Sequence, residues 1–251
     1  KGFNNSTGEK IESQFTYIND TTLNIEYIKG RLKDVPFNAE KLNFNKADKM
    51  VVSSPLTIDF GRGHIYAQVK YLDEDNYILN LRASQVDVVE LNKIFQFQNR
   101  INGEINGELD AEFENGIPRI LTNFNFRDGN FDDILFENID IQASLRDHRL
   151  ALSQVDINTD IGQLKFNGWL TVTGNESIFS ESDELHLNGE FDKFELSYLK
   201  RYFPWEQKTT GLLSGTINVT GKASSPRIEL KSLIEAPSFD KITAKSISGD
   251  L

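Results

Sequence analysis

The feature that most constrains the fold is a stretch that occurs twice in the chain. Residues 103–134 align without a gap on residues 211–242, an offset of 108 residues. Eight of the 32 aligned positions are identical, where ordinary composition gives roughly two. The identities include two glycines in each copy and a Pro-Arg-Ile sequence, Pro118–Ile120 in the first copy and Pro226–Ile228 in the second. An internal repeat of this length predicts a repeat architecture.

Apolar and polar residues alternate along most of the chain, which is the pattern of strands with one buried face. Leu56, Ile58 and Phe60 share one parity, for example, while the opposite parity carries mainly Asp, Asn, Glu, Ser, Thr and Lys. Turn residues separate these runs at short intervals, among them Asn115-Gly116, Asp128-Gly129 and Asp147-His148. Many short strands joined by such turns predict an all-β protein built as an antiparallel meander.

Two short segments have helical spacing instead, and they lie 108 residues apart. Each precedes the paired glycines of its copy, and each predicts a short amphipathic helix that packs on or caps one end of a sheet: Val88, Leu91, Ile94 and Phe95 in the first copy, and Leu196, Leu199, Tyr202 and Phe203, followed by Pro204, in the second. We therefore divide the chain into a diverged segment (1–85), a full repeat (86–193) and the start of the next repeat (194–251). Since Leu251 aligns with Ala143 in mid-repeat, we expect a segment of a longer protein.

Composition argues against several classes of function. The formal net charge of −11 would repel a phosphate backbone, which argues against nucleic-acid binding. The chain has no cysteine, which excludes disulfides and thiolate chemistry. His64, His148 and His186 are far apart in sequence and fit surface positions, and the acidic turn Asp73–Asn76 lacks the ligand spacing of a calcium loop. We expect no enzyme activity, no catalytic residues, no metal site and no cofactor.

The apolar residues of one parity would form a large sheet face, and this face must be covered from water. A closed sandwich would cover it with a second sheet, but an open stack of repeats would fit the 108-residue period better. Curling such a sheet lengthwise would make a trough able to accept acyl chains, because each buried CH₂ contributes about 0.8 kcal/mol. Strand parity assigns the following residues to this lipid groove: Leu79, Leu81, Ile105, Leu109, Ala111, Phe113, Ile120, Phe124, Phe126, Ile134, Phe136, Ile139, Ile141, Leu145, Leu150, Leu152, Leu164, Phe166, Leu170, Val172, Leu185, Leu187, Leu213, Ile217, Val219, Ile228 and Leu230.

The second copy resembles the repeat of the AsmA-like superfamily, and within it the TamB family. Residues 213–228, LSGTINVTGKASSPRI, carry that family's pattern of a small-residue strand, a glycine, a spacer and a proline. Residues 194–199 resemble its short helix between rungs, and residues 169–174 resemble its closing strands. The resemblance extends over residues 86–251. The first copy departs from the pattern, since Phe113 stands where the second has Gly221 and Gly116 where it has Ser224.

The resemblance implies an elongated β-taco, an antiparallel sheet folded over an open hydrophobic groove. It implies a chain that crosses the periplasm of a diderm bacterium, held to the inner membrane by a segment outside this sequence. It further implies phospholipid transfer between the two membranes together with an Omp85-family (TamA-like) outer-membrane partner, in support of outer-membrane biogenesis. One alternative is an assembly factor for outer-membrane proteins, whose strand edge pairs with nascent strands. A further alternative is a closed β-sandwich in a surface repeat protein.

Overall fold

A computed structural model describes most of the chain, and the statements below concern the residues that it describes. These are residues 3–4, 10–19, 22–32, 35–47, 50–52, 56–60, 62–95, 101–131, 134–172, 183–199, 209–239 and 242–250. The chain divides into two compact units, the first unit Lys1–Asp132 and the second unit Asp133–Leu251. The division predicted from the repeat, at residues 85/86 and 193/194, stays a prediction.

The first unit is an antiparallel sheet with one short helix among its described residues. Its elements are β1 (Phe3–Asn4), β2 (Lys10–Asn19), β3 (Thr22–Leu32), β4 (Val35–Ala47), β5 (Met50–Val52), β6 (Leu56–Phe60), β7 (Gly63–Tyr71), β8 (Tyr77–Asp87), α1 (Val88–Phe95), β9 (Ile101–Glu114) and β10 (Ile117–Phe131). Neighbours in sequence pair with each other, except that β5 and β6 both pair with β7.

The second unit repeats the same plan. Its described elements are β11 (Ile134–Arg146), β12 (Arg149–Thr159), β13 (Gly162–Thr171), β14 (Glu184–Glu195), α2 (Leu196–Leu199), β15 (Thr209–Lys222), β16 (Ser225–Phe239), β17 (Ile242–Thr243) and β18 (Ser246–Asp250). Each strand from β11 to β16 pairs antiparallel with the next, and β17 and β18 both pair with β16. The predicted all-β antiparallel fold with short helices is confirmed, whereas the curled groove stays a prediction.

The 108-residue repeat is visible in the backbone of the two units. The helices α1 and α2 begin at Val88 and Leu196, and β9 and β15 have the same length of 14 residues. Residues with positive φ recur at equivalent positions with nearly equal values: Gln85 (52°) and Lys193 (53°), Gly103 (129°) and Gly211 (135°), Asp128 (47°) and Ala236 (46°). The copies therefore share their irregularities as well as their strands.

These positive-φ residues mark β-bulges, where one strand carries extra residues and bends. One of them corrects a prediction, because Asp128-Gly129 was expected to be a turn between two strands. Strand β10 instead continues through it, with a register shift between Arg127 and Asn130 and with Gly129 buried. The amide of Asn130 donates a hydrogen bond to Oδ1 of Asn102 at 2.9 Å across this bulge. Asp128 and Gly129 are residue types that often form turns, but here they form a bulge. Asp adopts the αL conformation of this bulge readily.

The packed core of the first unit lies at one end of its strands, beside α1. Phe60 and Val86 are 4% and 0% exposed, and Leu91 of the helix packs against them. The helix starts immediately after the β8 bulge, where Asp87 caps it by accepting a hydrogen bond from the amide of Val89 at 2.7 Å. The helix therefore covers one end of the apolar side of the sheet, as predicted, and leaves the rest of that side without a helix among the described residues.

Candidate functional site

The strand register brings the predicted groove residues of the first unit onto one sheet face. Directly paired residues of antiparallel strands point their side chains to the same side. Leu79 pairs with Ala111, and Ala111 pairs with Ile120 on the next strand. All the predicted residues of this unit share that side: Leu79, Leu81, Ile105, Leu109, Ala111, Phe113, Ile120, Phe124 and Phe126. We call this side the apolar face of the first unit.

The second unit has an apolar face of the same kind. Leu150 pairs with Leu170, and Leu170 pairs with Leu185. The register places these predicted residues on that face: Phe136, Ile139, Ile141, Leu145, Leu150, Leu152, Leu164, Phe166, Leu170, Leu185, Leu187, Leu213, Ile217, Val219, Ile228 and Leu230. Ile134 in β11 and Val172, the residue after β13, follow the same parity as their neighbours.

Two phenylalanines belong to this face although they were not predicted for it. Phe191 pairs with Gly215 and Phe194 pairs with Leu213, so both face the apolar side although they are three residues apart. The bulge at Lys193, whose φ is 53°, inserts the residue that breaks the alternation. The equivalent bulge in the first unit lies at Gln85, 108 residues earlier. Neither Gln85 nor Lys193 has a feature in the sequence that marks a bulge.

The apolar faces are not sealed by a second layer. Of the predicted residues, only Ala111 and Phe136 are buried, each 4% exposed. Most of the others are half-buried, and Ile228 is 49% exposed. A closed sandwich buries the inner side chains of both its sheets. The described residues therefore leave most of each apolar face accessible along its strands.

Phenylalanine rings lie over glycines on these faces. Gly189 sits directly opposite Phe166, whose ring atoms Cδ1 and Cε1 lie 2.9 Å from where a Cβ at position 189 would be. The ring therefore occupies the space that a side chain on the neighbouring strand would need. An aromatic ring over a cross-strand glycine recovers packing that the glycine alone cannot make.

In the two copies, the ring that lies over the same glycine position comes from different neighbouring strands. In the first unit Phe124 of β10 lies over Gly107, with its Cδ1 2.5 Å from the position of a Cβ there. In the second unit the equivalent glycine is Gly215, and Phe191 of β14 lies over it at 2.8 Å. The β16 residue that corresponds to Phe124 is Ser232. The ring has changed strands while its place on the apolar face is kept.

The opposite faces are polar and hydrogen-bonded. In the first unit Asn80 donates to Asp110 at 2.6 Å between neighbouring strands. In the second unit the guanidinium carbon of Arg149 lies 3.9 Å from the centroid of the Trp169 ring. Leu121, 63% exposed, is an apolar exception on this side. Each unit thus separates an apolar and a polar side, as the alternation predicts.

The described residues do not assemble a catalytic or metal centre. No group of three or more His, Asp or Glu side chains among them could hold a metal ion. Nδ1 of His64 lies 2.6 Å from Oδ1 of Asp59, but both side chains are nearly half exposed, at 44% and 47%. Over the same part of the chain, no helix has the length and apolar character needed to cross a membrane.

No family model, no curated protein and no solved structure matches this chain. The resemblance to the AsmA-like superfamily therefore remains an expectation, and the site has to be judged on its own geometry.

Proposed function

We propose that the apolar faces bind acyl chains and that the protein is the periplasmic, groove-forming part of a bridge-like lipid-transfer protein. The observation that carries this proposal is the continuity of each apolar face. In the second unit, rows of directly paired apolar residues cross β12 to β16, as in the row Leu152, Gly168, Leu187, Val219 and Ile228. Such a surface offers a hydrocarbon chain contact at every strand along its length.

The physical chemistry of the face favours a ligand that slides. The predicted groove residues are all Leu, Ile, Val, Ala or Phe, so a bound tail meets no charged group that would hold it at one place. Each methylene transferred from water gains about 0.8 kcal/mol. Strands stacked at about 4.8 Å repeat the same contact along the sheet. Tails can therefore move from strand to strand along such a row at nearly constant free energy, while the head groups stay in water.

The cellular setting of this proposal comes from the resemblance alone. In it the chain lies in the periplasm of a diderm bacterium, works with an Omp85-family outer-membrane protein, and carries phospholipid between the inner and outer membranes. In it each sheet curls lengthwise, so that the two ends of its strands approach each other and the groove runs across the strands.

The decisive experiment compares adjacent residues on opposite sides of one strand. A photo-crosslinking amino acid replaces Phe166, on the apolar face, or Asn167, on the polar face, and the full chain is incubated with vesicles of phosphatidylethanolamine and phosphatidylglycerol. We expect a phospholipid adduct by mass spectrometry at position 166 and none at 167. Equal labelling at both positions, or at neither, would refute the proposal.

A charge placed on the face provides the second arm. Phe166→Asp together with Leu170→Asp should abolish lipid transfer between vesicles, because an unpaired carboxylate in an apolar lining costs several kcal/mol. Asn167→Asp, one residue away on the polar side, should leave transfer unchanged. Circular dichroism is used to check that each variant folds. Full transfer by the double variant, with crosslinks from strand edges to outer-membrane proteins, would favour the assembly alternative.

A further inference from the structure

The polar side of the second unit carries a depression that the proposed function does not use. Two adjoining hollows of about 510 Å³ and 380 Å³ share Lys165, Glu190 and Thr216 in their lining. Each is within the size range of small-molecule sites in proteins, roughly 300–1,000 Å³. Lys165 pairs with Glu190, which pairs with Thr216, so these side chains stand together on the side opposite the apolar face. We call this region the polar trough.

A row of three asparagines crosses the polar trough from β13 to β15. Asn218 donates from Nδ2 to Oδ1 of Asn188 at 2.6 Å, and Asn188 donates from Nδ2 to Oδ1 of Asn167 at 3.2 Å. Among the residues that the structure describes, the amide nitrogen of Asn167 and the amide oxygen of Asn218 have no partner. The row therefore presents a free donor at one end and a free acceptor at the other, because an amide offers both.

The charges around the row argue against an anionic ligand. Asp156, Glu190 and Glu229 line the larger hollow together with only two cationic residues, Lys165 and Lys231. A phosphate accepts hydrogen bonds and an ammonium group donates them, so each would match only part of this lining. Hydroxyl groups both donate and accept, and they carry no charge. The lining is thus complementary to a neutral ligand with many hydroxyl groups.

We propose that the polar trough binds a linear, uncharged oligosaccharide. The trough extends from β12 to β16, which at about 4.8 Å between strands is about 19 Å. That length accommodates several sugar rings laid across the strands, with their hydroxyl groups on the asparagine row and on the flanking carboxylates and ammonium groups. The binding is independent of the apolar face, since the two surfaces lie on opposite sides of the same strands.

Trp169 provides the readout for a test of this proposal. It lies in β13 two residues from Asn167, and its ring stacks on that of His186 with centroids 6.3 Å apart. The sequence contains two tryptophans, so Trp205→Phe leaves Trp169 as the single tryptophan. This protein is titrated with chitotetraose and with cellotetraose, and its tryptophan fluorescence is followed. We expect a saturable change with at least one of the two sugars.

Variants identify the surface that responds. Asn188→Ala with Asn218→Ala should weaken binding about tenfold or more, which corresponds to the loss of one to two hydrogen bonds. The control is Asn80→Ala. Asn80 lies 108 residues before Asn188, is the equivalent residue of the first unit, and donates a hydrogen bond to Asp110 on the polar side of that unit. It should bind like the parent, and thermal unfolding checks that each variant folds.

Three results would overturn the proposal. The first is no saturable change with either sugar up to its solubility limit. The second is unchanged affinity in the double asparagine variant, or equal weakening in the Asn80 control. The third is a saturable response to inorganic phosphate or to spermidine without one to the sugars, which would assign the trough to ions.

Discussion

Replacement of Gly189 by alanine tests whether the phenylalanine rings really depend on the glycines beneath them. A Cβ at this position would lie 2.7 Å from Cγ2 of Ile217 and 2.9 Å from Cδ1 and Cε1 of Phe166. Those distances are well below the 3.5–4.0 Å at which carbon atoms attract each other. Both side chains must therefore move, and the ring must leave its position over β14.

The expected cost follows from known overpacking energies. Inserting a methyl group into a filled site costs typically 1–3 kcal/mol, and the lower unfolded-state entropy of alanine returns about 0.4–1 kcal/mol. We expect a net loss of about 1–2 kcal/mol, or a fall in Tm of about 2–8 °C for a chain of this size. Gly249→Ala is the matched control, since no atom lies within 4 Å of its Cβ position, and it should change stability by less than about 0.5 kcal/mol.

A double-mutant cycle identifies the ring as the cause. Phe166→Ala removes the ring that the new methyl group meets, so the double variant should be more stable than the sum of the two single changes predicts, by at least about 0.5 kcal/mol. Stability is measured by urea unfolding followed by circular dichroism. Additive effects, or a Gly189→Ala protein as stable as the Gly249 control, would refute the reasoning that the ring occupies the glycine's place.

Other features of the fold make smaller, separate predictions. Asp87→Ala removes the acceptor for the amide of Val89 at the start of α1 and should lower the free energy of unfolding in urea by about 1 kcal/mol. Asp87→Asn keeps an acceptor and should retain most of that stability. Equal losses in the two variants would contradict the cap. The rings of Tyr77 and Phe113 stack with centroids 4.2 Å apart. A double-mutant cycle of leucine substitutions should therefore give a coupling free energy of about 0.5–1.5 kcal/mol. Zero coupling would show that the stacking does not stabilise the fold. Gly63→Ala would place its methyl group against a backbone carbonyl of the neighbouring strand, which cannot rotate away. The variant should therefore lose about 3 kcal/mol or more of its free energy of unfolding. A stable variant would show that the strands can separate there.

Much of the fold could be predicted because a strand's period of two is a strict rule. A shift of one residue moves every side chain to the other face, so an apolar parity as regular as Leu79 and Leu81 leaves little choice of orientation. The helix α1 was equally visible, since Val88 and Leu91 have a spacing that only a helix places on one side. In the second copy, the structure describes the helix as far as Leu199, and the expected continuation to Phe203 lies outside the described residues.

The bulges could not be predicted, because they depend on pairing between strands. Asp128-Gly129 has the composition of a hairpin turn, yet its flanking residues keep pairing with β9 on both sides of it. The alternation of apolar and polar residues is broken in the same way between Phe191 and Phe194. The extra residue there is Lys193, which has no special preference for a bulge. The asparagine row of the polar trough was hidden for a further reason: Asn167, Asn188 and Asn218 are distant in sequence, and only the register aligns them.

The pairing of each strand with its neighbours in sequence has a consequence for how the protein is made. In each unit the described strands need partners that lie at most a few dozen residues away, and hairpins such as β9–β10 and β15–β16 form the largest contacts. Local contacts of this kind favour rapid folding, because little loop entropy is lost before a pair forms. Each hairpin can therefore dock onto the last one as the polypeptide leaves a ribosome or an export channel. Assembly in that order would keep the length of unpaired, aggregation-prone strand short throughout biosynthesis.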